Sequence, residues 1–130
     1  MPQRLGAMRR AALAGYRIGL TVAPIIPVAN WEAEYDRLLA DCAASLDGVP
    51  DPDLTVEMIT HRFTEGSRAV LQNWYPGSRL DMDPANRTEK RTRFGSVKHV
   101  LPREQMANMR QTLEASLARW LPQARMLYWT

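Results

Sequence analysis

The sequence predicts an α/β fold, a partial (β/α) barrel of about three parallel strands with helices outside and a basic β-hairpin near the C-terminus. Apolar stretches of strand length alternate with longer stretches in which apolar residues recur at helical spacing. This alternation is typical of a parallel sheet covered by helices. The 130 residues fit a single domain, 1–130. Because a complete eight-stranded barrel needs about 250 residues, the predicted barrel is incomplete.

The first half of the chain alternates helix and strand. Residues 4–14 are predicted to form a helix that stops at Gly15, and "YRIGLTVAPI" is predicted to form a strand. A second helix starts at Trp31, where apolar residues return every three or four positions. Asn30 is its predicted N-cap.

The second half continues the alternation around a basic insert. "LTVEMIT" is rich in β-branched residues and predicts a second strand, and Thr64 is predicted to cap a helix from Glu65 to Trp74. Apolar residues from Met106 to Trp120 predict another long helix, and "ARMLYWT" predicts the last strand. The edge of the sheet near the N-terminus is expected to expose strand backbone and apolar surface, since the rest of a barrel would meet it there.

Composition narrows the class of protein. Apolar residues make up 45% and charged residues 24%, which is typical of a soluble globular domain. No run of eighteen apolar residues predicts a membrane span. Arg17, Pro24 and Pro27 interrupt the apolar stretch near the N-terminus, so no export signal is predicted and a cytoplasmic location is expected. The single cysteine, Cys42, fits a reducing compartment and a place in the core.

Positive charge is concentrated in one segment. The chain has 17 Lys and Arg against 14 Asp and Glu, a net charge of +3. Between Arg87 and Arg103 lie six cations and one anion, so this window carries +5 and the remainder carries −2. Such a concentration is expected of a phosphate-binding element, but a charge run also forms an ordinary solvated loop. The residues alone leave both interpretations open.

Four stretches together resemble one known family. They are "GLTVAPIIPVANWEAEY", "LTVEMITHRFTEGSRAVLQNWYPGSRLDMD", "KRTRFGSVKHV" and the terminal "LYWT". In this order they resemble the C-terminal part of spore photoproduct lyase, over nearly the whole chain. That family comprises radical S-adenosylmethionine enzymes that repair a methylene-bridged thymine dimer in DNA.

The resemblance implies chemistry that this chain lacks the residues to perform. In the family, S-adenosylmethionine is cleaved to a 5′-deoxyadenosyl radical, which removes a hydrogen from the lesion before the bridging bond breaks. The family holds its [4Fe–4S] cluster with three cysteines spaced CxxxCxxC, whereas this sequence has one cysteine. We expect no metal ligand and no catalytic residue here, and no activity without the missing N-terminal part. A separate N-terminal half is one possible partner.

The resemblance also implies DNA-contacting residues in the basic segment. In the family a hairpin, here about residues 90–101, reaches into the DNA and meets the flipped-out lesion. The matching residues are Arg93, Phe94, Gly95 and Lys98, with Lys90 and Arg91 beside them. The local physics agrees, because glycine permits a tight turn, cations neutralise phosphates and an aromatic ring stacks on an extruded base.

Further positions lie at predicted strand ends. Ala23 matches the position whose backbone meets the adenine of S-adenosylmethionine, although a strand that simply ends at a proline explains the same residues. The family often has glycine where Asn30 stands, which leaves fine contacts in that loop open. Arg62 is predicted to contact DNA phosphate or to pair with Glu57 or an aspartate, and His61 is interpreted as structural.

Two alternatives stay open. The chain is also consistent with a non-catalytic basic DNA-binding protein that kept the hairpin, or with an inactive truncated remnant. Neither these alternatives nor the lyase interpretation predicts a membrane partner. The lyase part and the DNA-binding protein both predict DNA as the partner.

Overall fold

The computed structural model describes residues 1–130 and consists of a three-stranded sheet, a separate two-stranded hairpin and four α-helices. The elements are α1 (Pro2–Leu13), β1 (Ile18–Ile25), α2 (Trp31–Ser45), β2 (Leu54–Thr60), α3 (Glu65–Trp74), β3 (Thr88–Arg91), β4 (Val97–Val100), α4 (Arg103–Trp120) and β5 (Arg125–Trp129). The predicted order of helices and strands is confirmed. None of the helices is both long enough and apolar enough to cross a membrane.

The three-stranded sheet has the order β1–β2–β5, and both pairs of neighbours run parallel. Strand β2 lies in the centre, and Val56 and Met58 on it are completely buried. Strands β1 and β5 are the two edges. The predicted mixed α/β fold with a parallel three-stranded sheet is therefore confirmed.

Helices α1, α2 and α4 cover one face of this sheet. Helix α2 packs against α4, and α1 packs against α2 beside β1. Leu39 and Cys42 of α2 and Leu113 of α4 join the strand residues in one buried core. Cys42 is buried, so its predicted place in the core is confirmed. This burial, with a smaller effect of Asp41, raises the pKa of its thiol. On the opposite face, Thr21 of β1 remains exposed.

The two predicted helix caps differ in their geometry. The Thr64 hydroxyl accepts a hydrogen bond from the backbone N–H of Ser67 at 3.2 Å. The backbone N–H of Thr64 donates in turn to the Ser67 hydroxyl, which completes a capping box. Asn30 lies at the N-cap position of α2, but its φ of 62° is left-handed and its side chain makes no cap bond. Asparagine tolerates this conformation better than most residues, so Asn30 serves as a turn residue.

Candidate nucleic-acid interface

The basic segment forms a tight antiparallel hairpin. Strands β3 and β4 pair from Thr88 opposite Val100 to Arg91 opposite Val97. At the tip, the backbone N–H of Gly95 donates to the carbonyl of Thr92 at 3.0 Å. Gly95 has a φ of 79°, the left-handed conformation that ends a three-residue hairpin loop and that glycine adopts without steric cost. The turn therefore requires the glycine that the sequence provides.

Around this tip one aromatic ring is exposed and the nearby cations lack partners within the chain, although Lys98 is half-buried. Phe94 is 94% exposed, the most exposed large apolar residue of the chain. None of the four cations Lys90, Arg91, Arg93 and Lys98 takes part in an ion pair. Lys90 stands directly opposite Lys98, and like charges opposite one another destabilise a strand pair. An anion bound at this face would offset that repulsion.

The base of the hairpin, in contrast, is fixed to the end of β2. Phe63 and His99 exchange two backbone hydrogen bonds, of 3.1 and 2.8 Å. Their rings stack with 5.0 Å between centroids and 24° between planes. Nε2 of His99 lies 3.0 Å from a carboxylate oxygen of Glu65, at the start of α3. These contacts attach β4 to the segment that follows β2, so the exposed tip stands on a buried base.

Arg87 completes the base and is not an exposed cation. Its side chain is only 3% exposed, and its guanidinium lies 5.7 Å from the centre of the Phe63 ring. It donates to the backbone carbonyls of Asp81 at 2.7 Å and His61 at 3.4 Å. Burial lowers the pKa of Arg87, and the nearby Asp81 carboxylate opposes that shift. One of the six cations between Arg87 and Arg103 is thus buried and has its partners inside the fold.

His61 is buried beside Arg87. Its exposed fraction is 6%, and Nδ1 has no hydrogen-bond partner. Burial and the charge of Arg87 lower the pKa of His61. The cluster of His61, Phe63, Arg87 and His99, named here the hairpin base, was not predicted as a unit. The stretch "ITHRF" was only a family motif in the sequence, and nothing in it indicated contact with residues 87 and 99.

Ala23 and Arg62 lie at the same rim of the sheet. Strands β1 and β2 run parallel, so their carboxyl ends lie at the same edge. The register breaks between Val22 and Ile25, which leaves Ala23 exposed and without a partner residue on β2. Ala23 and Arg62 line an open concavity of about 380 Å³ together with Phe63 of the hairpin base. The tip residues of the hairpin do not line this concavity.

Arg62 makes neither of the two ion pairs considered for it. Its guanidinium donates to the hydroxyl of Thr130 at 3.4 Å, and it forms no ion pair with Glu57 or with an aspartate. The side chain is exposed at the rim, where its charge is available to an anion.

Comparison with known proteins identifies the family. The family model for spore photoproduct lyase matches residues 1–130. The spore photoproduct lyase of Geobacillus sp. (strain Y412MC61) is 39% identical over 127 residues, which are 98% of this chain and 37% of that protein. That of Bacillus subtilis (strain 168) is 32% identical over 130 residues, 100% of this chain and 38% of that protein.

The chain belongs to the spore photoproduct lyase family. It spans about 38% of the length of the curated relatives it matches, and it corresponds to their C-terminal part. The resemblance inferred from the motifs is confirmed.

Solved structures of spore photoproduct lyase have the same fold over this region. One, a double mutant with bound AdoMet and dinucleoside spore photoproduct, covers 100% of this chain with a TM-score of 0.94 at 37% identity. Another, complexed with dinucleoside spore photoproduct, also gives a TM-score of 0.94. In both, the matched region is 38% of the solved chain.

The residues of this family member do not fit an iron–sulfur cluster. The single cysteine, Cys42, lies in the core between α2 and the sheet, and its raised pKa disfavours the thiolate that a cluster requires. No group of three His, Cys, Asp or Glu side chains is arranged to hold a metal ion. For AdoMet, the exposed Ala23 backbone at the rim fits a contact with one part of the molecule and no more.

Proposed function

We propose that this chain is the DNA-lesion-binding part of a spore photoproduct lyase. The hairpin binds the phosphate backbone through Lys90, Arg91, Arg93 and Lys98, and Phe94 stacks beside a base that has left the duplex. One observation carries this proposal: the tip presents unpaired cations around an almost fully exposed aromatic ring, on a base that is buried. The solvated-loop interpretation does not explain why two lysines lie directly opposite each other in the hairpin.

The rim of the sheet is proposed to complete the site. Arg62 contacts a DNA phosphate, and the backbone of Ala23 contacts the adenine of AdoMet. Both residues line one concavity at the carboxyl ends of parallel strands, where ligands bind in α/β folds. Phe63 links this concavity to the hairpin base.

We propose that the sheet, with residues 1–130 as one domain, is a segment of a larger (β/α) barrel. Parallel sheets are normally covered on both faces, whereas here Thr21 on the face away from the helices is exposed. In such a barrel that face would line the interior. The [4Fe–4S] cluster and its radical chemistry are assigned to the part of the family enzyme that this chain does not match.

A non-catalytic DNA-binding protein is the second candidate. Both candidates agree with the absence of any metal-binding group in this chain. The two candidates differ when the remaining part of the family enzyme is added, because only the first then gives repair of the thymine dimer. DNA binding by the chain alone is common to both.

The salt dependence of DNA affinity tests the proposed interface. Each neutralised phosphate contributes about 0.9 to the slope of log affinity against log salt. Arg93→Ala and Lys98→Ala should each reduce that slope by about 0.9, whatever the DNA sequence. The matched control is Arg110→Ala, because Arg110 is also exposed but lies on α4 in an ion pair with Glu114. Fluorescence anisotropy with a short duplex at low salt provides the measurement.

Phe94→Ala should leave the salt slope unchanged but reduce the preference for DNA with an easily extruded base. Stacking of one base on an aromatic ring contributes about 1–3 kcal/mol, so the preference for mismatched over matched duplex should fall about tenfold. Equal affinities for the wild type and an Arg93→Ala/Lys98→Ala double variant at low salt would show that the solvated-loop interpretation of the hairpin is correct.

A further inference from the structure

Helix α3 and the hairpin are additional elements in the connection from β2 to β5. A crossover between parallel strands needs only one helix packed on the sheet, and α4 has that role because it packs against α2 in the core. Residues 61–102, named here the β2–α4 segment, contain α3 and the hairpin and start at the carboxyl end of β2. The segment therefore lies at the edge of the sheet where ligands bind in α/β folds.

The positive charge of the chain belongs to this β2–α4 segment. It contains eight Lys or Arg and four Asp or Glu, a net charge of +4, whereas the rest of the chain has nine against ten and carries −1. The hairpin accounts for only four of the eight free or buried cations. Arg79, which lies between α3 and the hairpin, is exposed and takes part in no ion pair. A polyanion is thus attracted to the whole segment and not to the hairpin alone.

The last turn of α3 exposes large aromatic side chains. Trp74 is 69% exposed, and Tyr75, directly after the helix, is 60% exposed. Val70, one turn before Trp74, is exposed as well, and no residue of α3 is buried. The helix therefore presents an aromatic surface that no other part of this chain covers.

This aromatic surface is continuous with the rim concavity. Ser67 and Leu71 of α3 line the concavity of about 380 Å³ that contains Arg62. Leu71 also lines an adjacent pocket of about 120 Å³ together with Tyr75. From Ser67 to Trp74 the helix rises about 10 Å, the length of about three nucleotide steps in a stacked strand. A nucleic-acid strand that leaves the concavity along α3 would reach the aromatic rings within that distance.

We propose that α3 extends the nucleic-acid interface and binds unpaired nucleotides next to the extruded lesion. Bases stack on Trp74 and Tyr75, and Arg79 binds the phosphate backbone. The nucleotides must be unpaired, because a base inside a duplex is covered by its neighbours on both faces. A protein partner could use the same rings, but the positive charge of the β2–α4 segment and its continuity with the concavity favour nucleic acid. This inference rests on the proposed function, which places the DNA at Arg62.

Fluorescence anisotropy with a fully paired duplex and with a duplex that contains an unpaired bubble tests this surface. The wild type should prefer the bubble, and Trp74→Ala should reduce that preference about tenfold, the usual effect of removing one stacked base. Tyr16→Ala is the matched control, because Tyr16 is 70% exposed but precedes the amino end of β1. It should keep the wild-type preference. All of these rings are mostly in water, so the variants should fold like the wild type.

Tryptophan fluorescence provides a second readout, since Trp74 is the most exposed of the four tryptophans. Bubble DNA should quench the wild-type emission. Trp74→Phe keeps a ring for stacking but removes the indole, so it should bind like the wild type and lose most of the quenching.

An unchanged bubble preference in a Trp74→Ala/Tyr75→Ala double variant would overturn the proposal. Self-association of the chain that this double variant abolishes, with the bubble preference unchanged, would assign the surface to a second copy instead. The salt slope for paired duplex reports the hairpin cations and should be the same in Trp74→Ala and the wild type. If the hairpin substitutions Arg93→Ala and Lys98→Ala have no effect while Trp74→Ala still reduces the bubble preference, the hairpin assignment fails and the assignment of α3 stands.

Discussion

The tip and the base of the hairpin come from one basic segment, yet their cations and aromatic rings have opposite environments. At the base, Arg87 is 3% exposed and donates to two backbone carbonyls beside the buried Phe63. At the tip, Arg93 and the 94% exposed Phe94 contact nothing that would neutralise or cover them. A cation whose partners are internal stabilises the fold, and one without partners remains available to an external anion.

The two regions should differ most in how much the free energy of unfolding falls when a phenylalanine in each is replaced by alanine. Phe63→Ala removes a ring that is 3% exposed and stacks on His99, so it should lower the free energy of unfolding by about 3–5 kcal/mol. Phe94→Ala should change it by less than about 0.5 kcal/mol, because its ring is already in water. Urea denaturation followed by circular dichroism measures both.

A similar loss of stability in the two variants would mean that the tip packs against the body of the protein. A small loss in Phe63→Ala would mean that the base is not a rigid support. Either result would remove the contrast on which the proposed interface depends.

The second prediction separates stability from binding. Arg87→Ala loses two hydrogen bonds from a charged donor and should lower the free energy of unfolding by about 2 kcal/mol. Because Arg87 is buried, the salt slope of DNA binding should stay as in the wild type under conditions where the variant is folded. Arg93→Ala should do the reverse, with unchanged stability and a slope reduced by about 0.9.

Urea denaturation and anisotropy on the same two preparations provide these values. A reduced salt slope in Arg87→Ala would contradict the assignment of Arg87 to the interior. A loss of stability in Arg93→Ala would contradict the assignment of Arg93 to the free tip.

The sequence predicted the tip better than the base for a physical reason. A tight turn depends on local residues, and Gly95 between Phe94 and a following strand is a local signal. The base depends on residues far apart in the chain, since the ring of Phe63 meets the guanidinium of Arg87 and the ring of His99. Charge counting treated Arg87 as one of six equal cations, because burial is not visible in composition.

The elements of the main fold were predictable because helical and strand periodicities are local too. The bounds of α3 agree with the prediction, since Thr64 and Pro76 mark its ends. The left-handed Asn30 was not predictable from its residue type, which suits a cap and a turn equally. The closure of the sheet into a barrel stays a prediction, because it concerns strands beyond this chain.

Acid should weaken the base before it affects the rest of the fold. Burial and the charge of Arg87 lower the pKa of His61 below its ordinary value of 6.5, while Asp81 opposes the shift. The unfolded chain therefore takes up a proton that the folded chain does not. This contribution to stability is complete above pH 6.5 and is lost as pH falls through the lower, folded pKa.

Urea denaturation between pH 7.5 and pH 5 tests this expectation, with His61→Gln as the variant that cannot titrate. The decline of stability in that range should be smaller in the variant. The carboxylates of Asp36 and Asp81 also have lowered pKa values, but their contribution is lost only as pH falls below about 3.8. An identical decline in wild type and variant would exclude His61 as the source.

A small gain in stability is expected from a change at Lys90, which lies directly opposite Lys98. Lys90→Glu replaces a like-charged pair with an opposite-charged pair and should stabilise the hairpin by about 0.2–1 kcal/mol. The same change removes a phosphate-binding cation and adds an anion, so DNA affinity should fall and the salt slope should decrease by at least about 0.9. Lys90→Gln is the matched control, since it relieves the repulsion without adding an attraction and should have intermediate effects on both quantities. Stability and affinity would thus move in opposite directions, as expected if the two lysines face each other for the sake of a bound anion. A variant that gained stability and kept its DNA affinity would instead show that this face of the hairpin is not the one that meets DNA.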